Sequence, residues 1–490
     1  MLTRNGLQIS KRDLSNEQMS FLYNELEVEP FQMGMGVYNV DDRSSFKVYK
    51  ETEEYITIPR FYPNIPKVTP FNFDTYNAIP ESKHYRSNET NCTLEFNGSI
   101  RKEQEPPINA LLKACSNVGG GIVSVPCGFG KTVMAIYVAC KLKQKTLVIV
   151  HQEHLLHQWC ERIEQFTNAS MDNGKIGFIR RDKVKVDDCD IVIGMLQSIA
   201  MRDYPMEIFQ EFNTVIVDEC HHVAAEVFSR ALPKIVAPYT IGLSATPRRK
   251  DGLTKVFKWF LGDIVYFCVR DLDDSIQVQV ANFKSTDAKY NRSRTVRIRG
   301  KTQPNFSGMV NQITEHKPRT KFIVETLKPY IMDGRYCLIL TERKKHMKDL
   351  YCYLQPILKE RSMTAGYYCG GMKKKELEMS LKCDVIIATF QMAAEAFDCA
   401  KLNTLVLASS KTDIEQSVGR ILRKKHAGMN PIIIDIVDEQ HNIFKNQAIK
   451  RQRYYKRCGY KIFNNDNVTI DDSMKLSIKT SAKTSTKCLI

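Results

Sequence analysis

From about residue 94 onward, short β-rich apolar runs alternate with helical stretches: GGIVSV, TLVIV, CDIVIG, FNTVIVD and YTIGLS follow one another along the chain. Runs of this kind are strands buried on both faces, which is what a parallel sheet with crossover helices requires. A second series begins near residue 320 with RYCLILT, CDVIIAT, LNTLVLASS and NPIIIDIVD. The fold class is therefore α/β, with two parallel-sheet lobes in tandem. The chain's 490 residues give room for roughly three or four folded units, so there is space beside the lobes.

The remainder divides by texture. Residues 1–93 carry scattered prolines (Pro59, Pro63, Pro66, Pro70, Pro80), many aromatics and short alternating stretches such as YITIPRFY, and are expected to form a small accessory domain. The first lobe is expected over 94–285 and the second over 320–463. Between them, 286–319 is a basic connector: AKYNRSRTVRIRGKT (288–302) has six basic and no acidic residues, which suits either a solvated linker or an insertion that contacts a phosphate backbone. Residues 464–490 are Ser/Thr/Lys-rich and aromatic-free, and are expected to be a disordered tail.

Composition narrows the partners. Hydrophobic residues make up 43% and charged residues 26%, which excludes wholesale disorder. Lys plus Arg number 71 against 55 Asp plus Glu, a net charge of +16 that suits a polyanionic partner through counterion release, or a merely soluble basic protein. The 15 cysteines are spread out with no C-x-x-C spacing, so a reducing interior is the simplest context. The start, MLTRNGLQISKRD, lacks an apolar signal region, and no apolar run reaches the ~18–20 residues of a membrane span. Cys488 is one place short of a prenylation box. The expectation is a soluble intracellular protein.

Chemistry concentrates at strand ends. GGIVSV runs into PCGFGKT and then the helical stretch VMAIYVACKL, an arrangement that points backbone N–H groups and a helix N-terminus at a phosphate. Gly128 and Gly130 allow close backbone approach on either side of Phe129, Lys131 can reach the β- and γ-phosphates, and Thr132 can hold Mg²⁺. Val125 stands where the strict pattern has its first glycine, and an ordinary strand-to-helix turn is the competing reading. FNTVIVDECHH then sets Asp218 and Glu219 directly after a strand, where one carboxylate can hold Mg²⁺ and the other can orient and deprotonate a water. With the phosphate loop, this makes a two-part nucleotide site. His221 and His222 are better suited to hydrogen bonding than to binding Mg²⁺, which prefers oxygen.

Farther on, GLSATPRRKDG brings Ser244 and Thr246 to another strand end, and EQSVGRILRKK places Gln416, Arg420 and Arg423 on one helix. Both arginines can share a face and meet charge on a transferred phosphoryl group, although a basic helix face is more often a solvated surface. KNQAIKRQRYYKRCGYK (445–461) has seven basic residues and no acidic one, with Lys450, Arg451, Arg453, Tyr454 and Tyr455 suited to backbone tracking and base stacking. The competing reading is an amphipathic helix packing Ile449 and a tyrosine on the lobe while its lysines face water. His151, His154 and His157 share helical spacing without a fourth ligand, so a plain role outweighs zinc. Trp159 and Trp259 read as core residues.

In this order and spacing, PCGFGKT, VDECHH, LSATP and QSVGRILR resemble motifs I, II, III and VI of superfamily 2 helicases. SIRKEQ around Gln104 is similar to the adenine-contacting segment, TLVIVHQEHLLHQW to motif Ia, DIVIGMLQSIA to the motif Ic region, CLILTERKKHMKDL to motif IV and VIIATFQMAAEAFDCAKLNTLVLAS to motif V. DECH, PCGFGKT and FKNQAIKRQRYYKRCGYKI most resemble the XPB-like branch, in the form found in large DNA viruses such as the poxvirus transcript-release helicase. The resemblance covers about 94–462 and implies two RecA-like lobes closing on ATP, in a monomeric DNA-stimulated ATPase moving 3′ to 5′.

On that resemblance, Gln104 contacts adenine, Gly128, Phe129, Gly130, Lys131 and Thr132 hold phosphates and Mg²⁺, Asp218 binds Mg²⁺ and Glu219 is the base. Ser244 and Thr246 couple hydrolysis to movement, and Gln416, Arg420 and Arg423 complete the site from the second lobe. Motif V departs from the pattern, with Ala396 at a usual glycine between Glu395 and Asp398, which bears on coupling if that backbone needs φ > 0. The expected partner is nucleic acid, DNA favoured over RNA, in viral transcription or repair and with the corresponding machinery. The alternatives are an RNA helicase of the same superfamily, or an ATP-clamped binding module that does not unwind.

Overall fold

The computed structural model describes residues 2–3, 6–29, 45–62, 92–126, 128–220, 225–245, 253–269, 272–298, 301–395, 399–421 and 429–465. The chain forms two compact units, residues 1–270 and 271–490.

The first unit is built on an eight-stranded sheet. Across it lie Lys183–Lys185, Ile176–Arg180, Ile191–Met195, Thr146–Val150, Thr214–Val217, Tyr239–Ser244, Gly120–Ser124 and Ile264–Phe267, parallel except for the Lys183–Lys185 edge strand. Gly120–Ser124, Thr146–Val150 and Thr214–Val217 are buried at every position, as continuous apolar runs between two helical layers must be. The strand that leads to Asp218 pairs with Thr146–Val150 on one side and Tyr239–Ser244 on the other, and Tyr239–Ser244 in turn pairs with Gly120–Ser124. This order brings the ends of the strands leading into PCGFGKT, DECHH and SATP to one edge of the sheet.

The amino-terminal residues belong to this unit. Gly6–Ser10 pairs with Tyr55–Ile58 in a four-stranded sheet, and the helix Asn16–Leu26 opens on a capping box formed by Ser15 and Gln18. Leu7, Ile9, Leu22, Ile56 and Tyr62 share one apolar core with Ile122, Val215, Phe257, Trp259 and Phe260. The small sheet is thus fused to the large one. Arg60, 8% exposed, extends this junction by donating to the carbonyls of Pro238 at 2.8 Å and Val118 at 3.3 Å.

The second unit holds a seven-stranded parallel sheet, in the order Ala365–Tyr368, Val385–Thr389, Cys337–Thr341, Thr404–Leu407, Ile432–Asp438, Gln277–Phe283 and Lys461–Asn465. Its boundary corrects the expected one. Gln277–Phe283, expected at the end of the first lobe, pairs with Ile432–Asp438 and with Lys461–Asn465. The expected connector is ordered too, with a short helix Ala288–Asn291, an antiparallel ribbon of Thr295–Ile298 and Lys301–Pro304, and the helix Phe306–Glu315. The expected tail from 466 onward lies outside the described residues.

Two buried ion pairs sit at the strand Ile432–Asp438. Arg319 grips Asp438 through Nε at 2.5 Å and through its terminal nitrogen at 2.9 Å, while Tyr290 donates to the same carboxylate at 2.7 Å. Arg451 donates to Asp435 at 2.8 Å, and the Tyr455 hydroxyl does so at 3.0 Å. A carboxylate placed inside an apolar strand must be paired this way or lose its charge.

Candidate active site

The loop after Gly120–Ser124 reaches the helix Lys131–Leu142 through two left-handed glycines, Gly128 at φ +85° and Gly130 at φ +92°. A side chain at Gly130 would strain the backbone at this φ, and its Cβ would stand 2.3 Å from the Gln104 amide nitrogen, so Gln104 would have to move off the Phe129 carbonyl. Gln104 is 2% exposed and both ends of its amide are engaged: Nε2 donates to the Phe129 carbonyl at 2.9 Å, and Oε1 accepts from the Arg101 N–H at 3.0 Å. The Arg101 guanidinium also donates to the Phe129 carbonyl. In this structure Gln104 therefore fixes the shape of the phosphate loop from beneath.

On the neighbouring strand end, Asp218 is 6% exposed. One of its oxygens accepts the indole N–H of Trp159 at 2.8 Å and the other the backbone N–H of Glu219 at 2.9 Å. Glu219 sits at φ +45°, a strained conformation for a residue with a side chain. Its carboxylate lies 3.1 Å from the Lys131 ammonium, a pair whose side chains are only 17% and 10% exposed. Burial, with the Glu219 charge second, pushes the Asp218 carboxyl up from 3.8 to about 6, while the Trp159 bond and the Lys131 charge act in the opposite direction.

A buried carboxylate raised in this way is an incomplete electrostatic arrangement that a cation would complete. The Asp218 carboxylate is a hard oxygen donor of the kind a divalent ion such as Mg²⁺ takes. Among the described residues no group of three or more His, Cys, Asp and Glu side chains is placed to hold a metal ion.

Ser244 ends the strand between the two motifs, wholly buried, and its carbonyl accepts the Val125 N–H at 3.1 Å. Thr246, His221 and His222 lie outside the described residues, as do Arg423 and Ala396 to Asp398. Gln416 and Arg420 fall on the helix Glu415–Ile421, with only their backbone described.

Trp159 was legible only as core. It is buried, at 1% exposure, yet it holds the site's central carboxylate. The available signal was its indole N–H, which needs an acceptor once buried, on a helix that follows a strand of the same sheet.

The proposed nucleic-acid face on the helix Asn442–Arg457 needs correction. Arg451 and Tyr455 are wholly buried and committed to Asp435, so neither can meet a strand. Tyr454 packs against Tyr455 and Tyr460 with ring centres 6.0 and 6.1 Å away. Lys450 and Arg453 remain exposed. The helix buries Phe444, Ala448, Arg451 and Tyr455, while Ile449, 39% exposed, faces outward.

Residues 97–249 match the family model described as "Type III restriction enzyme, res subunit". The chain is 32% identical over 472 residues to "Putative ATP-dependent RNA helicase L396" of Acanthamoeba polyphaga mimivirus, a match spanning 94% of this chain and 86% of that protein. It is 29% identical over 381 residues to "Putative helicase 161L" of Invertebrate iridescent virus 6, across 75% of this chain and 83% of the other. Among solved structures, a fragment of a putative HsdR subunit of a type I restriction enzyme from Vibrio vulnificus shares the fold, with a TM-score of 0.51 and 16% identity over 76% of this chain and 69% of that one. Among the described residues no helix is long and apolar enough to cross a membrane.

Proposed function

The chain belongs to the superfamily 2 helicases, with relatives in large DNA viruses, and from that premise we propose that it is a 3′ to 5′ DNA helicase or translocase driven by hydrolysis of ATP with Mg²⁺. The observation that carries this reading is the constellation of Lys131, Glu219, Asp218 and Trp159 at adjacent strand ends, beside a loop with two left-handed glycines.

In the proposed cycle, the loop from Gly128 to Gly130 presents N–H groups to the phosphates of ATP and the helix start at Lys131 adds its dipole. The Lys131 ammonium, neutralised by Glu219 in this structure, transfers to the triphosphate. That transfer frees the Glu219 carboxylate to orient water and take its proton. Asp218 and Thr132 would hold Mg²⁺, which would supply charge neutralisation at the phosphates. Arg420 and Arg423 provide positive charge for the γ-phosphoryl and Gln416 a neutral amide donor, while Ser244 and Thr246 relay the change in the site. Lys450 and Arg453 contact nucleic acid.

Lys131→Ala should abolish nucleic-acid-stimulated ATP hydrolysis while circular dichroism shows an intact fold; undiminished turnover would reject the reading. An RNA-directed motor is the second reading, favoured by the name of the mimivirus relative, an ATP-dependent RNA helicase. Stimulation of hydrolysis by single-stranded DNA and RNA of equal length separates the two, and DNA is expected to stimulate more.

A further inference from the structure

Within the second unit, the ribbon Thr295–Ile298 and Lys301–Pro304 has a composition and a mounting that the ATP site does not use. Residues 288–314 contain six cations and no Asp or Glu. Surfaces normally intersperse both signs, so a stretch of this length with none of one sign leaves its field uncompensated. Arg292, Arg294 and Arg297 are all exposed, and among the described residues neither Arg292 nor Arg297 is paired with a carboxylate.

An isolated two-stranded ribbon is marginal in water, yet this one is fixed at its base. Gln312, 8% exposed on the helix Phe306–Glu315, donates its amide to the carbonyls of Lys289 and Arg292 at 2.9 Å each, and to that of Tyr290. Its oxygen accepts from Arg294 Nε at 2.9 Å, and the Asn305 N–H closes the far strand onto the Arg294 carbonyl at 2.8 Å. Tyr290, wholly buried, ties the same base to Asp438. One end of the ribbon is therefore held rigid while its strands stand in solvent.

We infer that this ribbon is a second nucleic-acid contact, gripping the phosphate backbone of duplex DNA without reading its sequence; the inference rests on the motor reading above. Its chemistry favours a backbone over bases. Thr295, Val296, Arg297, Thr302, Gln303 and Pro304 include no aromatic ring on which an unpaired base could stack. Its dimensions favour a duplex, because two paired strands with side chains are about 10 Å across and the B-form major groove is about 12 Å wide. The A-form major groove of duplex RNA is too deep and narrow to admit it. Arg297 lies opposite Thr302 in the register, so its exposed side chain shares a face with a small polar residue and stands clear of any bulky neighbour across the ribbon.

The test measures binding of the full chain to a short blunt DNA duplex by fluorescence anisotropy over roughly 50–300 mM salt. Arg292→Ala with Arg297→Ala should lower the slope of log K against log salt by about 1–2, since each phosphate contact contributes about 0.9. Arg292→Lys with Arg297→Lys should restore it, and ATP hydrolysis without nucleic acid should stay unchanged. An unchanged slope in the alanine variant overturns the ribbon contact, as does an equal loss on single-stranded DNA or a loss seen only on duplex RNA. A wild-type chain that neither binds nor is stimulated by any nucleic acid would instead reject the motor reading, and the ribbon with it.

Discussion

Asp218 is a residue on which stability and function pull in opposite directions. Its carboxyl rises from an ordinary 3.8 to about 6 on folding, because burial outweighs the Trp159 bond and the Lys131 charge. A folded-state value above the unfolded one means that ionisation is harder in the folded chain. The contribution of this one group to stability is therefore fullest below about pH 4, falls as pH rises from 4 to 6, and stays reduced above that range. Asp218→Asn keeps an oxygen for the Trp159 N–H and removes the charge. The variant should thus be more stable than wild type at pH 7–8, on the order of 1–3 kcal/mol, with no advantage below pH 4. Melting of the two proteins across that pH range checks this, and a variant less stable than wild type at pH 8 would contradict it. At this scale the sequence was informative about identities and poor about partners. PCGFGKT and DECHH located Lys131, Asp218 and Glu219, since short spacings carry the chemistry directly. The Trp159–Asp218 bond joins residues 59 positions apart, which no local pattern encodes.

At the level of elements, the helix Asn442–Arg457 shows how a basic segment divides between packing and solvent. Arg451 is wholly buried and saturated by Asp435, Ser410 and the Lys411 carbonyl, whereas Lys450 and Arg453 are exposed. Truncating one partner of a buried pair strands the other charge, so Arg451→Ala should destabilise the second unit by about 3–5 kcal/mol. Lys450→Ala and Arg453→Ala should each cost less than about 0.5 kcal/mol. Urea denaturation midpoints test the contrast, and a similar cost at all three positions would remove it. The signal missed in the sequence was the strand IIIDIVD, because an aspartate inside an apolar run calls for a buried cation. The strand Gln277–Phe283 was misplaced for a related reason. QVQVANF alternates polar and apolar residues rather than forming a continuous run, so it does not read as a strand buried on both faces.

For the molecule as a whole, the amino-terminal residues change what a minimal first lobe is. Composition set 1–93 apart as an accessory domain, yet its apolar face and that of the large sheet form one core, with Tyr62 edge-on to Trp259 at 5.4 Å and the Phe61 N–H donating to the Trp259 carbonyl at 2.9 Å. No periodicity in the first 62 residues announces this, because the matching surface lies about 200 positions away along the chain. Arg60 clasps the junction through carbonyls on two separate segments, and its loss leaves buried acceptors without a donor. Arg60→Ala should accordingly cost about 1–3 kcal/mol and let the small sheet open locally. Trp259 is 1% exposed, so opening should shift its emission to the red and speed proteolysis within residues 1–62, while the Lys131–Glu219 pair, on different strand ends, keeps its geometry. Truncation before residue 92 should go further, uncovering Trp259, Phe257 and Phe260 together and giving an aggregating chain. A soluble, monomeric truncation with an unshifted tryptophan spectrum would show that the first lobe closes its own core, and that the amino-terminal sheet is an appendage to it.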